Sequence, residues 1–240
     1  MKDTNEGSKN PSELGNVPFN WSDPFLLNEQ ISESEGLIKN TAENFALKEL
    51  KPRIEKAYND ELVDKEIFQR MGETGFLGCT IPEEYGGIGS SYVSYGLIAR
   101  EIERIDSGYR SMMSVQSSLV MYPIYKFGNE NQRKKFLPRL ASGELIGCFG
   151  LTEANSGSDP ASMTTKAIKV DGGYELTGSK MWISNAPIAD IFIIWAKSNH
   201  HQNKIKGFII EKDQKGLKTN KISGKLSLRA SVTGEISLER

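Results

Sequence analysis

The feature that most limits the architecture of this chain is a single change of periodicity near residue 145. Before it, apolar residues recur at helical spacing over 24–50, 60–72, 91–106, 108–127 and 129–142. Asp23 ahead of Pro24 reads as an N-cap, and Pro52, the Pro82–Gly89 loop and Gly143 punctuate the pattern. Beyond it, periods shorten and β-branched residues gather. Strands are expected over 146–152, 163–170, 173–178, 190–197, 205–211 and 232–238, with turns at Asp171-Gly172-Gly173 and Lys215-Gly216. The chain therefore reads as α+β: a helical domain over 19–145 and a β domain over 146–240, preceded by a disordered tail over 1–18.

Composition removes several function classes. Thirty Lys and Arg stand against 31 Asp and Glu, so no uniform basic field draws in nucleic acid or anionic lipid. Two cysteines, Cys79 and Cys148, do not make a disulfide framework, and a reducing, cytoplasmic setting is expected, with the mitochondrial matrix as the alternative. His200 and His201 lie in a polar stretch without carboxylate or thiolate at ligand spacing, so no metal site is expected. No apolar run approaches the roughly 20 residues of a membrane helix, and the polar N-terminus has neither a signal core nor a transit-peptide pattern. Gly173 to Lys180 reads G-x-x-x-x-G-S-K, which inverts the order of a phosphate-binding loop and lies between strands instead of opening a helix.

Two short runs hold the chemistry, CFGLTEANSGSDP at 148–160 and KMWISNA at 180–186. In the first, glycine lets backbone approach a ligand, while successive N–H groups with the hydroxyls of Thr152, Ser156 and Ser158 suit an anionic group. The same residues are also ordinary turn vocabulary. In the second, Trp182 offers a flat face for stacking, and Ser184, two residues along a strand, would share its side. A planar, hydrogen-bonding, phosphate-bearing cofactor fits both runs, which points to a flavin.

Together these runs resemble the acyl-CoA dehydrogenase family, as do TIPEEYGGIGSSYVSYGLIAREIERID at 80–106, FGNENQRKKFLPRLASGE at 127–144 and LSLRASVTGEI at 226–236. The resemblance implies that family's fold, a helical domain followed by a β-barrel-like middle domain, here cut before a C-terminal helical bundle. It implies FAD, with Thr152 at the pyrimidine edge of the ring and Phe149, Leu151, Gly157 and Ser158 lining the flavin and thioester cleft. Trp182 and Ile183 would pack along the ring, and Ser184, in place of the commoner threonine, would bond near flavin N5.

Within the family, DSGYRSMMSVQSS at 106–118 resembles the glutaryl-CoA dehydrogenase branch. There Arg110 would take the distal carboxylate of a diacid thioester, a bidentate match of fork to carboxylate. Glu103, Ser111 and Ser114 complete the implied polar pocket, and on a continuous helix Glu103, Arg110 and Ser114 would share a face. Two readings stay open. Arg110 also sits four residues after Asp106, the spacing of a surface ion pair, and Asp106-Ser107-Gly108 reads as a helix boundary that would break the shared face. The implied reaction is oxidation of glutaryl-CoA to crotonyl-CoA and CO2, with electron-transferring flavoprotein as acceptor and a homotetrameric enzyme. The family's catalytic glutamate belongs to a domain beyond Arg240, so no residue here is assigned as base. The alternatives are a short-chain dehydrogenase without decarboxylation and a non-catalytic binding module.

Overall fold

The computed structural model describes residues 19–239. The tail expected over residues 1–18 lies outside the described residues. The helical part contains α1 (Glu33–Phe45), which runs on through a π-helical turn at Ala46–Leu50, then α2 (Ile54–Asp60), α3 (Glu66–Glu73) and α4 (Tyr92–Glu103). Next, α5 (Ser107–Ser114), a π-helical stretch (Val115–Met121) and α6 (Tyr122–Phe127) make one continuous rod, followed by α7 (Glu130–Ala141). A core of Leu50, Phe68, Met71, Ile98, Ile102 and Met112, each fully buried, joins α1, α3, α4 and α5. Each such side chain contributes roughly 1.5–3 kcal/mol of transfer free energy.

The helix expected over 24–50 starts only at Glu33. Ser32 forms a capping box there, accepting from the Glu35 amide at 3.3 Å while the Glu35 carboxylate takes the Ser32 amide at 2.9 Å. Asp23 is not the N-cap of a helix opening at Pro24: a single 3₁₀ turn follows at Leu27–Gln30 with left-handed Leu26 (φ 52°) at its N-cap position, and the Asp23 carboxylate accepts from Leu27 N and Asn28 N. The helix expected over 60–72 is likewise interrupted, because Glu61 (φ 51°) ends α2 and α3 restarts at Glu66. The apolar spacing runs across both breaks, so periodicity alone conceals them.

The β half is one sheet of seven strands: β1 (Gly147–Gly150), β2 (Lys166–Val170), β3 (Gly173–Ser184), β4 (Ile191–Ser198), β5 (Lys204–Glu211), β6 (Leu217–Ile222) and β7 (Thr233–Leu238). Central β4 pairs along its whole length with antiparallel β5, while β1 and β2 lie parallel to it in succession. The path continues through β3 and β7 to β6. β5 and β6 also line a common cavity of about 1150 Å³ with Phe127 of α6, so the sheet is barrel-like with a gap at its edges. β6 carries Lys218, Asn220 and Lys221 between its half-buried residues, too little apolar text to announce a strand. β3 runs six residues past its expected end, and its late portion is irregular: the register against β7 shifts between Lys180 and Ile183, and Trp182 has φ 63°.

Rod and sheet meet closely. A Cβ on Gly147 would lie 2.4 Å from Val120 Cγ1, so only glycine lets β1 approach the π-helical stretch. A second junction joins the end of α2 to the segment between β6 and β7. The Glu61 carboxylate pairs with Arg229 at 2.6 Å and accepts from Gly224 N at 3.0 Å.

Candidate active site

The two motif runs come together as one wall. Thr152 follows β1, and its carbonyl accepts from Met181 N at 2.9 Å, placing Trp182 of β3 beside the first run. Trp182 is 61% exposed, which is not the core position usual for a strand tryptophan. The pleat is interrupted between Lys180 and Ile183, and past the interruption Trp182 is exposed, Ile183 buried and Ser184 half-buried, the alternation expected of residues 182 and 184 on one side. A bulky residue with left-handed backbone costs on the order of 1–3 kcal/mol, strain that collects at ligand-binding positions.

Leu151, Thr152 and Ser184 are half-buried and Gly157 and Ser158 exposed. Among the described residues the hydroxyls of Thr152, Ser158 and Ser184 engage no partner. Phe149 packs edge-on to Trp195 with centroids 5.8 Å apart. Ile183 turns inward, 4% exposed, joining Cys148, Phe192 and Ile236, so only its backbone can face a ligand. An open indole face, free hydroxyls and exposed Gly157-Ser158 backbone are a donor set suited to an isoalloxazine and a phosphate-bearing tail.

Beneath the wall lies a group the sequence reading overlooked. Lys180 is wholly buried, its Nζ 2.9 Å from Glu153 Oε1 and 3.0 Å from Leu151 O. Burial alone would raise the Glu153 carboxyl. Hydrogen bonds from the Thr165 hydroxyl, the Thr164 amide, Lys180 and the Thr165 amide outweigh it and bring the pKa down to about 2. Burial depresses the Lys180 ammonium despite its partner. The available signal was Lys180 itself, a charged residue at an inward position two residues before Trp182.

Arg110 stands at the other end. The chain does break between α4 and α5, yet Glu103 remains in reach: its Oε2 accepts from Arg110 Nε at 2.5 Å and its Oε1 from the Ser107 hydroxyl at 2.5 Å. Arg110 Nη1 reaches Ser114 Oγ at 3.5 Å, and Ser111 is half-buried on the same helix. The surface pair with Asp106 does not form. Asp106 instead caps α5, accepting from Gly108 N at 2.7 Å. The Ser107 hydroxyl and Arg110 hold the Glu103 carboxyl below its ordinary range. Arg110 keeps 35% of its side chain exposed, and its Nη2 has no partner among the described residues.

The two ends are linked through Gly147. Its N–H donates to Gln116 Oε1 at 2.8 Å, six residues along the rod from Arg110, and its carbonyl accepts from Asn185 Nδ2 at 3.2 Å, the residue after Ser184. Gln116 is wholly buried and also donates to Leu140 O and Leu145 O. Sequence reasoning missed both amides, because nothing in the text marks a polar residue as a link between domains.

Residues 32–144 match the acyl-CoA dehydrogenase N-terminal domain and residues 148–240 its middle domain. The chain belongs to the acyl-CoA dehydrogenase family. An acyl-CoA dehydrogenase of Bacillus subtilis is 39% identical over 208 residues, covering 86% of this chain and 55% of that protein. Among solved structures, a glutaryl-CoA dehydrogenase of Mycobacterium smegmatis in complex with FADH2 is 42% identical with a TM-score of 0.86, over 90% of this chain and 55% of that one. The structure of a glutaryl-coenzyme A dehydrogenase glutaryl-CoA complex is 34% identical with a TM-score of 0.83, over 87% of this chain and 54% of that one. The chain spans about half the length of the relatives it matches.

Proposed function

We propose that the whole protein is an FAD-dependent acyl-CoA dehydrogenase acting on glutaryl-CoA, and that residues 19–239 supply its flavin wall and its distal-carboxylate site. Support for the cofactor comes from the donor set around Thr152, Trp182 and Ser184 and from the FADH2 complex of the Mycobacterium smegmatis relative. When bound, FAD supplies the hydride acceptor for α,β-dehydrogenation. Hydroxyls of Thr152 and Ser184 would orient the ring edge, Trp182 would exclude water from one side, and Gly157-Ser158 would meet the thioester chain. Once the α,β double bond forms, the γ-carboxylate is vinylogous to the thioester carbonyl, so loss of CO2 followed by protonation gives crotonyl-CoA.

Arg110 is the observation on which the diacid reading rests. Glu103 and Ser114 hold the guanidinium by Nε and Nη1 while Nη2 stays open, and a partly exposed fork can accept a second carboxylate without being uncovered from burial. An apolar acyl tail would gain nothing from that charge and would lose by desolvating it.

The test compares kcat/KM for glutaryl-CoA and butyryl-CoA in the chain joined to a relative's C-terminal domain. Arg110→Ala should remove roughly 2–4 kcal/mol of transition-state stabilisation for glutaryl-CoA and far less for butyryl-CoA. Equal losses for both thioesters would leave Arg110 a structural residue and defeat the diacid reading.

A further inference from the structure

The late portion of β3 is held by very little strand pairing. Its ladder with β2 ends at Thr177, and its ladder with β7 skips from Lys180 to Ile183. Met181 and Trp182 therefore have no strand partner on either edge. Outside the ladders, the backbone bond from Met181 N to Thr152 O ties them down at the point where a strained Trp182 faces outward.

Lys180 acts at this place. Its single ammonium reaches the Leu151 carbonyl at 3.0 Å and the Glu153 carboxylate at 2.9 Å, the two residues that flank Thr152. Three consecutive residues of the first run are thus fastened to two consecutive residues of the second. Glu153 is itself fixed by four bonds: Thr164 N and Oγ1 at 2.7 and 2.8 Å on Oε2, and Thr165 N and Oγ1 at 3.0 and 2.5 Å on Oε1. Neither side chain has a free direction toward the cleft, with Lys180 unexposed and Glu153 7% exposed.

We infer that Lys180 and Glu153 are a positioning pair that sets the register between the two halves of the proposed flavin wall. A buried ion pair is commonly no more stabilising than apolar residues of the same volume, so gain in fold stability is a poor account of it. What it adds is a fixed offset where a bulge has removed the ladder that would otherwise define one. The inference depends on the proposed function only for what the wall binds. The geometry it concerns belongs to the chain without ligand.

The experiment is amide hydrogen exchange by NMR on the 240-residue chain, comparing Met181 with Ile193 of central β4, for wild type, Lys180→Met and Glu153→Gln/Lys180→Met. The double variant removes both charges, keeps the volumes and should recover most of the urea midpoint lost by the single one. It cannot donate to the Leu151 carbonyl. In both variants Met181 should lose protection by about tenfold or more relative to Ile193, since a local anchor is gone while the sheet persists. A Met181 amide that keeps its protection in the double variant, or that changes only in proportion to Ile193, would overturn the inference. FAD titration of the same three sequences, each joined to a relative's C-terminal domain and followed by flavin fluorescence, should show a dissociation constant weakened by about the same factor in both variants. Wild type failing to bind FAD would count against the cofactor reading and leave the exchange result to decide on the pair.

Discussion

The Arg110–Glu103 and Lys180–Glu153 pairs bring opposite charges to 2.5 and 2.9 Å in opposite surroundings. The first is more than a third exposed on both sides, joins two helices across a break, and leaves one edge of its guanidinium free. The second is sealed beneath a strand, with every bonding direction of its carboxylate used. An exposed pair has little folding energy to lose and can exchange or share its carboxylate with a ligand. A sealed pair cannot exchange anything, and removing one member strands the other in a medium that does not solvate it. On the proposed reading, similar chemistry serves recognition in one place and geometry in the other, and water access separates the two.

The largest effect should come from breaking the sealed pair on one side. Lys180→Met should reduce unfolding free energy by roughly 3–5 kcal/mol in urea titrations, because Glu153 stays buried without its cation. A loss under about 1 kcal/mol would place it with the surface pair and erase the contrast.

Acid should act on the same site next. The folded pKa of Glu153, about 2, lies below its unfolded value near 4.3, so its contribution is complete above that value and is lost as pH falls through the folded pKa. The stability gap between wild type and Glu153→Gln should narrow by on the order of 2 kcal/mol between pH 7 and pH 3. Urea titrations at the two pH values measure it, and a constant gap would mean the carboxylate is not held ionised by the fold.

Trp182→Gly should raise stability by up to about 1 kcal/mol, since glycine accepts φ 63° without strain and the indole buries little. A clear drop in thermal midpoint would show that the indole packs on the protein. Arg110→Ala should have the smallest effect on folding, about 0.5 kcal/mol, despite its large expected effect on glutaryl-CoA turnover. A folding loss comparable with that of Lys180→Met would remove the distinction between the two pairs.

Much of this was legible in the residues. The change of period near residue 145 separates helices from strands because side-chain repeats of 3.6 and 2 are properties of the backbone itself. The strands centred on β4 and β5 were readable for the same reason, being runs of Ile, Phe and Val-like text bounded by turns. The breaks at Leu26 and Glu61 were not, because a left-handed residue leaves the apolar spacing intact. β6 stayed hidden since its stability comes from β7 and not from its own apolar content. Near Arg110, counting along a helix predicted the partners Glu103 and Ser114, while the helix boundary argued against Glu103, and the turn between α4 and α5 returned it to contact.

By itself, then, the sequence determined that helices come before strands and where most of them lie, and it marked the two runs proposed to meet the cofactor, since these depend on neighbours within a few residues. The tertiary structure decided that Asp106 caps a helix while Arg110 turns to Glu103, that Gln116 and Asn185 meet at one residue by taking the amide and the carbonyl of Gly147, and that Lys180 reaches back 29 residues to the carbonyl of Leu151. Each of these is a choice among competing partners for one polar group. It is settled by which partner remains when burial has removed water, and that is known only once distant segments have packed.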